Sequence, residues 1–280
     1  MRKKIDRLEG LADAIIGAPL STSPFLRKPA INTHAIGIPF STTESGDSEE
    51  ELNTYLTEAS AEVVKILHAP SHPAAKGSTL ISAAIERLKA KGHKIELILI
   101  TGRPHTEVIE QIQRCDFVID QVYSDGPLAG LATEAAWFGK PSVVGGYGFD
   151  KLRRFIASDS WPPSRICHPD ELEVVIEDMI INIDARVKVG LEAQKFVRLN
   201  WSSIAVARRY QHIIDGNIPQ EWWYDPAEVE YCEGAGQHVD VTKANIKAMV
   251  GSYGKESLQL SHRPKLEQAF LKLAGIKVKQ

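Results

Sequence analysis

An α/β fold with a Rossmann-like, doubly wound parallel sheet is predicted by three observations. Between residues 60 and 215, short apolar runs alternate with amphipathic stretches. The runs "VVKILHA", "IELILI" and "DFVIDQ" are strand-sized and largely lack the polar alternation of a half-solvated sheet, so helices must cover both faces. Glycine and proline punctuate the changeovers, as at Gly77, Gly92, Gly139 and Pro141.

The elements follow in order. Residues 63–69 read as a strand, 78–92 as a helix ended by Gly92, 94–101 as a strand, 105–115 as a helix and 116–121 as a strand. In "DGPLAGLATEAAWFGKPSVV", Asp125 and Gly126 suit an opening turn and Pro127 the first helical position. Gly139 suits the left-handed residue after the last turn, which predicts a helix over 127–138 and a buried strand after Pro141. "FDKLRRFIA" predicts a further helix, "SRICH" a short edge strand, and 169–181, 184–200 and 202–214 three more helices. The strands near 63, 95, 116 and 142 are expected at the sheet centre, burying Ile66, Leu67, Ile98, Leu99, Val118, Ile119, Val143 and Val144. Such sheets bind ligands at the carboxyl ends of their strands, which selects the loops 69–77, 101–105, 121–127 and 145–149.

The flanks differ in character. Residues 1–58 combine the apolar piece "ADAIIGAPL", a Pro- and Ser-rich stretch and the acidic "STTESGDSEEE", which predicts a linker over 41–51. Residues 216–280 hold an aromatic cluster, Trp222, Trp223 and Tyr224, read as packing, and two helical stretches. Three domains result: 1–58, 59–215 and a partly helical C-terminal extension, 216–280.

A net charge of −3 over 280 residues gives no electrostatic reason for nucleic-acid binding. No apolar run is long enough to span a bilayer. Three widely spaced cysteines, with no signal-peptide pattern, fit a reducing, cytoplasmic setting. His68 and His72 are four apart, but Pro70 forbids the helix that a paired-histidine zinc site needs, so no metal is expected.

Two residues stand out chemically. Lys76 follows the first strand and adds a mobile ammonium to a helix terminus, a setting suited to phosphate. Glu134, a lone carboxylate in a small-residue helix, can accept two hydrogen bonds from vicinal hydroxyls. Gly126 lets backbone approach a ligand closely, although a turn alone also accounts for it.

"ILHAPSHPAAKGSTLISAAIERLKAKG", "IELILITGRPHTEVIEQIQRCDFVIDQ" and "GLATEAAWFGKPSVV", in that order and spacing, resemble the nucleotide-sugar-binding C-terminal half of retaining GT-B glycosyltransferases of the family-4, or group 1, type. A weaker likeness relates 12–40 to the end of the acceptor half. The resemblance implies that Lys76 and Gly77 contact the donor diphosphate and that Glu134 holds the ribose, with Gly126 and Pro127 beside them. His72, Arg103 and Asp125 are secondary candidates, and no catalytic residue is assigned. The implied activity is sugar transfer from a nucleotide diphosphate-sugar to an unknown acceptor, without cofactor or metal. A complete enzyme of this kind has two such domains, so the alternative is a truncated or degenerate donor half, inactive alone or completed by a separate acceptor-binding subunit. A sugar-nucleotide epimerase of the same fold is the remaining reading.

Overall fold

The computed structural model describes residues 2–40, 63–234 and 236–277. The expected linker at 41–51 lies outside them. Eight strands are described: β1 (Ile16–Gly17), β2 (Ala30–Asn32), β3 (Val64–His68), β4 (Ile95–Leu99), β5 (Phe117–Gln121), β6 (Ser142–Gly145), β7 (Arg165–Cys167) and β8 (Trp223–Tyr224). The chain divides into two compact units, the larger comprising Gly37–Tyr147 and Pro162–Arg208.

The larger unit is a five-stranded, all-parallel sheet in the order β4-β3-β5-β6-β7. Alternate residues of each strand serve opposite faces. Ile66, Phe117, Ile119 and Val143 pack with Ile81, Ile85 and Leu88 of the helix Ser78–Ala90 and with Leu172, Ile176 and Met179 of the helix Leu172–Ile181. Leu67 and Val118 pack on the other side with Ile112 of His105–Arg114 and Ala135 of Gly130–Trp137. The sheet is therefore doubly wound. Because the chain steps from β3 outward to β4 and then back past β3 to β5, the strand order reverses between β3 and β5, where such folds open a ligand crevice.

Two expectations need correction. Among the described strands β4 lies at an edge, paired with β3 alone, and Leu99 is 51% exposed and Ile98 half-buried, whereas Ile66, Leu67, Val118, Ile119, Val143 and Val144 are fully buried. The helix expected over 127–138 is shorter, Gly130–Trp137. The hydroxyl of Ser124 accepts from the Gly126 N–H at 3.1 Å and donates to the Gly126 carbonyl at 2.6 Å, closing a tight turn. Ser164 then takes the Pro127 carbonyl at 2.6 Å, so the chain turns into the helix three residues later. Gly139 ends that helix at φ +69°, as expected.

The smaller unit comprises Met1–Ile36, Gly148–Trp161 and Arg209–Gln280, and so draws on both flanks of the sequence. β1 runs parallel to β2, and β2 pairs antiparallel with β8. The "ADAIIGAPL" stretch supplies β1 and buries Leu20, leaving Ile16 exposed. Of the aromatic cluster, Trp223 and Tyr224 form β8, and the buried Tyr224 hydroxyl accepts from Ser23 at 3.2 Å. "FDKLRRFIA" forms one α-turn, Phe149–Leu152, and a 3₁₀ turn, Arg153–Phe155. The two predicted C-terminal helices are Val239–Tyr253 and Pro264–Leu273, packed through Ile246, Leu266 and Leu271.

Candidate functional site

At the β3–β5 reversal, loops following β3 and β4, the end of β5 and the start of the helix Gly130–Trp137 surround a cavity of about 320 Å³. Its polar lining includes Lys76, Arg103, His105, Asp120 and Glu134.

Local sequence places Lys76. His72 caps a single turn, Pro73–Lys76, by accepting from the Ala75 N–H at 3.2 Å, and Pro73 has the φ that a first helical position needs. Gly77 then turns left-handed at φ +74° and starts the helix Ser78–Ala90. A β-carbon there would lie 2.7 Å from Cβ of Val122, so only glycine lets this corner sit on the end of β5. The Lys76 carbonyl accepts from the Val122 N–H at 3.1 Å, fixing the same corner.

The Lys76 ammonium reaches across to β5, donating to Asp120 Oδ1 at 3.2 Å and to Gln121 Oε1 at 2.8 Å. Asp120 is 1% exposed, and its Oδ2 is buried with no hydrogen-bond partner among the described residues. Gln121 passes the network on by donating to the Ser124 hydroxyl at 2.8 Å. Beneath this floor His68 is fully buried. Its Nδ1 hydrogen donates to the Ile119 carbonyl at 2.7 Å, and Nε2 accepts from the Ser78 hydroxyl at 2.8 Å. Burial lowers the His68 pKa below its usual 6.5, chiefly by desolvation, so the ring is neutral.

Glu134 lies one turn into its helix, four residues after Gly130, and its Oε1 accepts from His105 Nε2 at 2.9 Å. A β-carbon on Gly130 would meet nothing within 4 Å, so the helix N-terminus is unobstructed there. The first amides of that helix precede its repeating bonds, which begin with Thr133 N–H to Ala129 at 2.8 Å, and they add a positive field.

Of the sequence candidates, the structure gathers Lys76, Arg103 and Glu134 around one cavity. Gly77, Gly126, Pro127, His72 and Asp125 are not among its lining residues. Gly77 and His72 shape the Lys76 corner, while Gly126 and Pro127 are held by Ser124 and Ser164. Sequence reasoning missed Asp120, His105, Gly102 and Gly130. Asp120 had a signal: an acid inside a strand otherwise buried on both faces is out of place unless it has a partner or a task.

No family model and no curated protein matches the chain. Solved structures do. A crystal structure of Anabaena Alr3699/HepE in complex with UDP and glucose superposes with a TM-score of 0.51 at 15% identity, covering 76% of this chain and 66% of that one. A point mutant of S. aureus TarM in complex with fondaparinux, alpha-GlcNAc-glycerol and UDP gives 0.43 at 12% identity over 54% of this chain and 35% of that one. WaaG, a glycosyltransferase involved in lipopolysaccharide biosynthesis, gives 0.44 at 13% identity over 64% and 55%. The chain thus spans just under two thirds of the length of HepE and less of the others. No described helix is long and apolar enough to cross a membrane. The doubly wound parallel sheet with its crevice at the strand reversal and the match to HepE together give the larger unit the Rossmann-like fold of one half of a GT-B glycosyltransferase.

Proposed function

We propose that this chain binds a nucleotide diphosphate-sugar in the Lys76–Asp120–Glu134 cavity and serves as the donor-binding half of a retaining glycosyltransferase. The observation that carries the reading is the convergence of a cationic corner, an unobstructed helix N-terminus and a carboxylate one turn into that helix at the strand reversal. HepE, similar in fold, is in complex with UDP and glucose, which supports the same ligand class here. Lys76 and the first amides of the helix would neutralise the departing diphosphate, stabilising charge as the glycosidic bond breaks. Glu134 would accept from the ribose hydroxyls. That work needs no cofactor, and cationic side chains with the helix terminus supply the compensation a divalent metal would otherwise give.

Lys76 is already engaged by Asp120 and Gln121, so an arriving phosphate competes for it. That contact weakens the hold on phosphate and so favours a second reading, a truncated or degenerate donor half, inactive alone or completed by a separate acceptor-binding subunit. Calorimetric titration with UDP and UDP-glucose tests binding, and release of glucose from UDP-glucose tests turnover. Binding with turnover supports the enzyme, binding without turnover supports the donor half awaiting a partner, and absence of binding to either nucleotide rejects both.

A further inference from the structure

The helix Arg2–Leu11 of the smaller unit sorts its charges by face. Its two acids turn inward. Glu9 is buried, and its Oε1 accepts from the Arg27 N–H at 2.8 Å, while the half-buried Asp6 pairs with the Arg27 guanidinium at 3.5 Å. Lys28 adds a third tie by donating to the Glu9 carbonyl at 2.7 Å. Lys3, Lys4 and Arg7 are exposed instead, and none of them has an ion-pair partner among the described residues. Leu8 and Leu11, 58% and 72% exposed, join them within an arc of about 140° around the helix axis. That outer face of the helix carries no acid, and the exposed Asp13 lies past the helix end.

We propose that this face is a docking surface for an anionic bilayer, on which the helix lies flat, with Leu8 and Leu11 entering between the headgroups and Lys3, Lys4 and Arg7 meeting the lipid phosphates. Charge selects the sign of the partner. The chain as a whole carries a net charge of −3, so its overall field does not draw it to an anionic surface, whereas a segregated cationic face does. The leucines select a bilayer over a nucleic acid. A phosphate backbone offers no apolar layer to two leucines one turn apart, but the boundary between headgroups and acyl chains takes both at once. Lysine and arginine stems lie along that apolar layer and keep their charged ends at the phosphates. A helix of 10 residues is about 15 Å long, roughly half the hydrocarbon thickness, so it lies on a membrane without crossing it. The contact does not depend on what the Lys76 cavity binds.

Co-sedimentation of the full chain with vesicles tests this. Vesicles of phosphatidylcholine alone should retain little protein, whereas vesicles with equal parts of phosphatidylglycerol should retain it at low salt and release it as salt rises. Lys3→Gln, Lys4→Gln and Arg7→Gln together should weaken partition into the anionic vesicles roughly a hundredfold, from about 1 kcal/mol for each cation. Leu8→Ser with Leu11→Ser should weaken it roughly tenfold or more by removing the inserted apolar area. All five positions are exposed, and thermal unfolding of both variants checks that the fold is intact. Wild type that ignores anionic vesicles overturns the proposal, as does a glutamine variant that binds them like wild type. An unaffected serine variant overturns it by reducing the contact to charge alone. Release of wild type by soluble glycerol phosphate overturns it by assigning the face to free phosphate, and capture by polyuridylate without vesicle binding does so by making it a nucleic-acid surface.

Discussion

Gly190 packs directly on the backbone of Gly139: a β-carbon built on Gly190 would lie 2.2 Å from the Gly139 carbonyl oxygen and 3.1 Å from Cδ of Pro141. The helix Ile183–Asn200 is thereby seated against the end of the helix that carries Glu134. Gly190→Ala must push backbone from backbone, which side-chain repacking cannot relieve. The expected loss is about 2 kcal/mol or more in urea denaturation, with a weaker affinity for any ligand of Glu134. Gly251, in the last turn of the helix Val239–Tyr253 with nothing within 4 Å, is the contrast: Gly251→Ala should stabilise by about 0.5 kcal/mol.

Glu134→Gln keeps the helix and most of the side-chain shape but removes the charge that strengthens bonds to hydroxyls. Affinity for uridine and for UDP should fall together, by about 1–2 kcal/mol, with little change in thermal stability. Equal binding by both proteins would show that Glu134 serves only His105.

Lys76→Ala should separate the ligands. UDP affinity is expected to fall severalfold or more while uridine is unaffected, and the UDP loss should shrink as salt rises, because the ammonium acts on phosphates alone. Loss of binding for both ligands to the same degree would instead identify Lys76 as a structural tie to Asp120.

Stability should depend on pH through His34. Burial pushes its pKa from 6.5 down to about 4, and its Nε2 has no hydrogen-bond partner among the described residues. Below pH 6.5 the unfolded chain takes up a proton that the folded chain refuses, so stability is full above that pH and declines until about pH 4. The difference between 6.5 and about 4 corresponds to roughly 3 kcal/mol over that window. His68, also lowered by burial, adds a loss of the same sign. Denaturation of wild type and His34→Gln across about pH 4–7 should give a shallower slope for the variant.

Arg186 is a structural cation. It is 2% exposed, donates to the Met179 carbonyl at 3.0 Å near the end of the helix Leu172–Ile181, and approaches Asp116 Oδ1 at 3.5 Å. Arg186→Met should cost about 3 kcal/mol, since Asp116 loses the cation beside Oδ1 and the Met179 carbonyl loses a donor. Asp116→Asn should cost less, because its one amide oxygen can still accept from the Lys65 N–H that Oδ2 now takes at 2.7 Å, and only the contact with the guanidinium is lost.

The larger unit is legible in the sequence because its strands are buried on both sides, and continuous apolar runs such as those holding Ile66 and Val118 mark themselves. Leu99 looks the same in the sequence, yet only pairing order decides which strand is the edge, and that order is not local. The start of the Glu134 helix is misplaced by the sequence because Pro127 satisfies a local rule that two serine hydroxyls, one of them 37 residues away, override. Lys76 and Glu134 can be singled out by residue type and loop position. Asp120 cannot be paired with Lys76 until β5 is set beside β3.

The small sheet has a consequence for how the chain becomes folded. β2 has β8 as its antiparallel partner, and Ser23 meets Tyr224 across 201 residues of sequence. During ribosomal synthesis, the stretch supplying the strands of the larger sheet emerges before β8 exists, so that sheet can form first. β2 and its neighbours must wait, with their apolar residues Ala30 and Ile31 unsheltered until Tyr224 leaves the exit tunnel. Closure of so long a loop is a slow, entropically opposed step, which makes the smaller unit the last to mature and the place where a nascent chain is most exposed to aggregation and to chaperone capture.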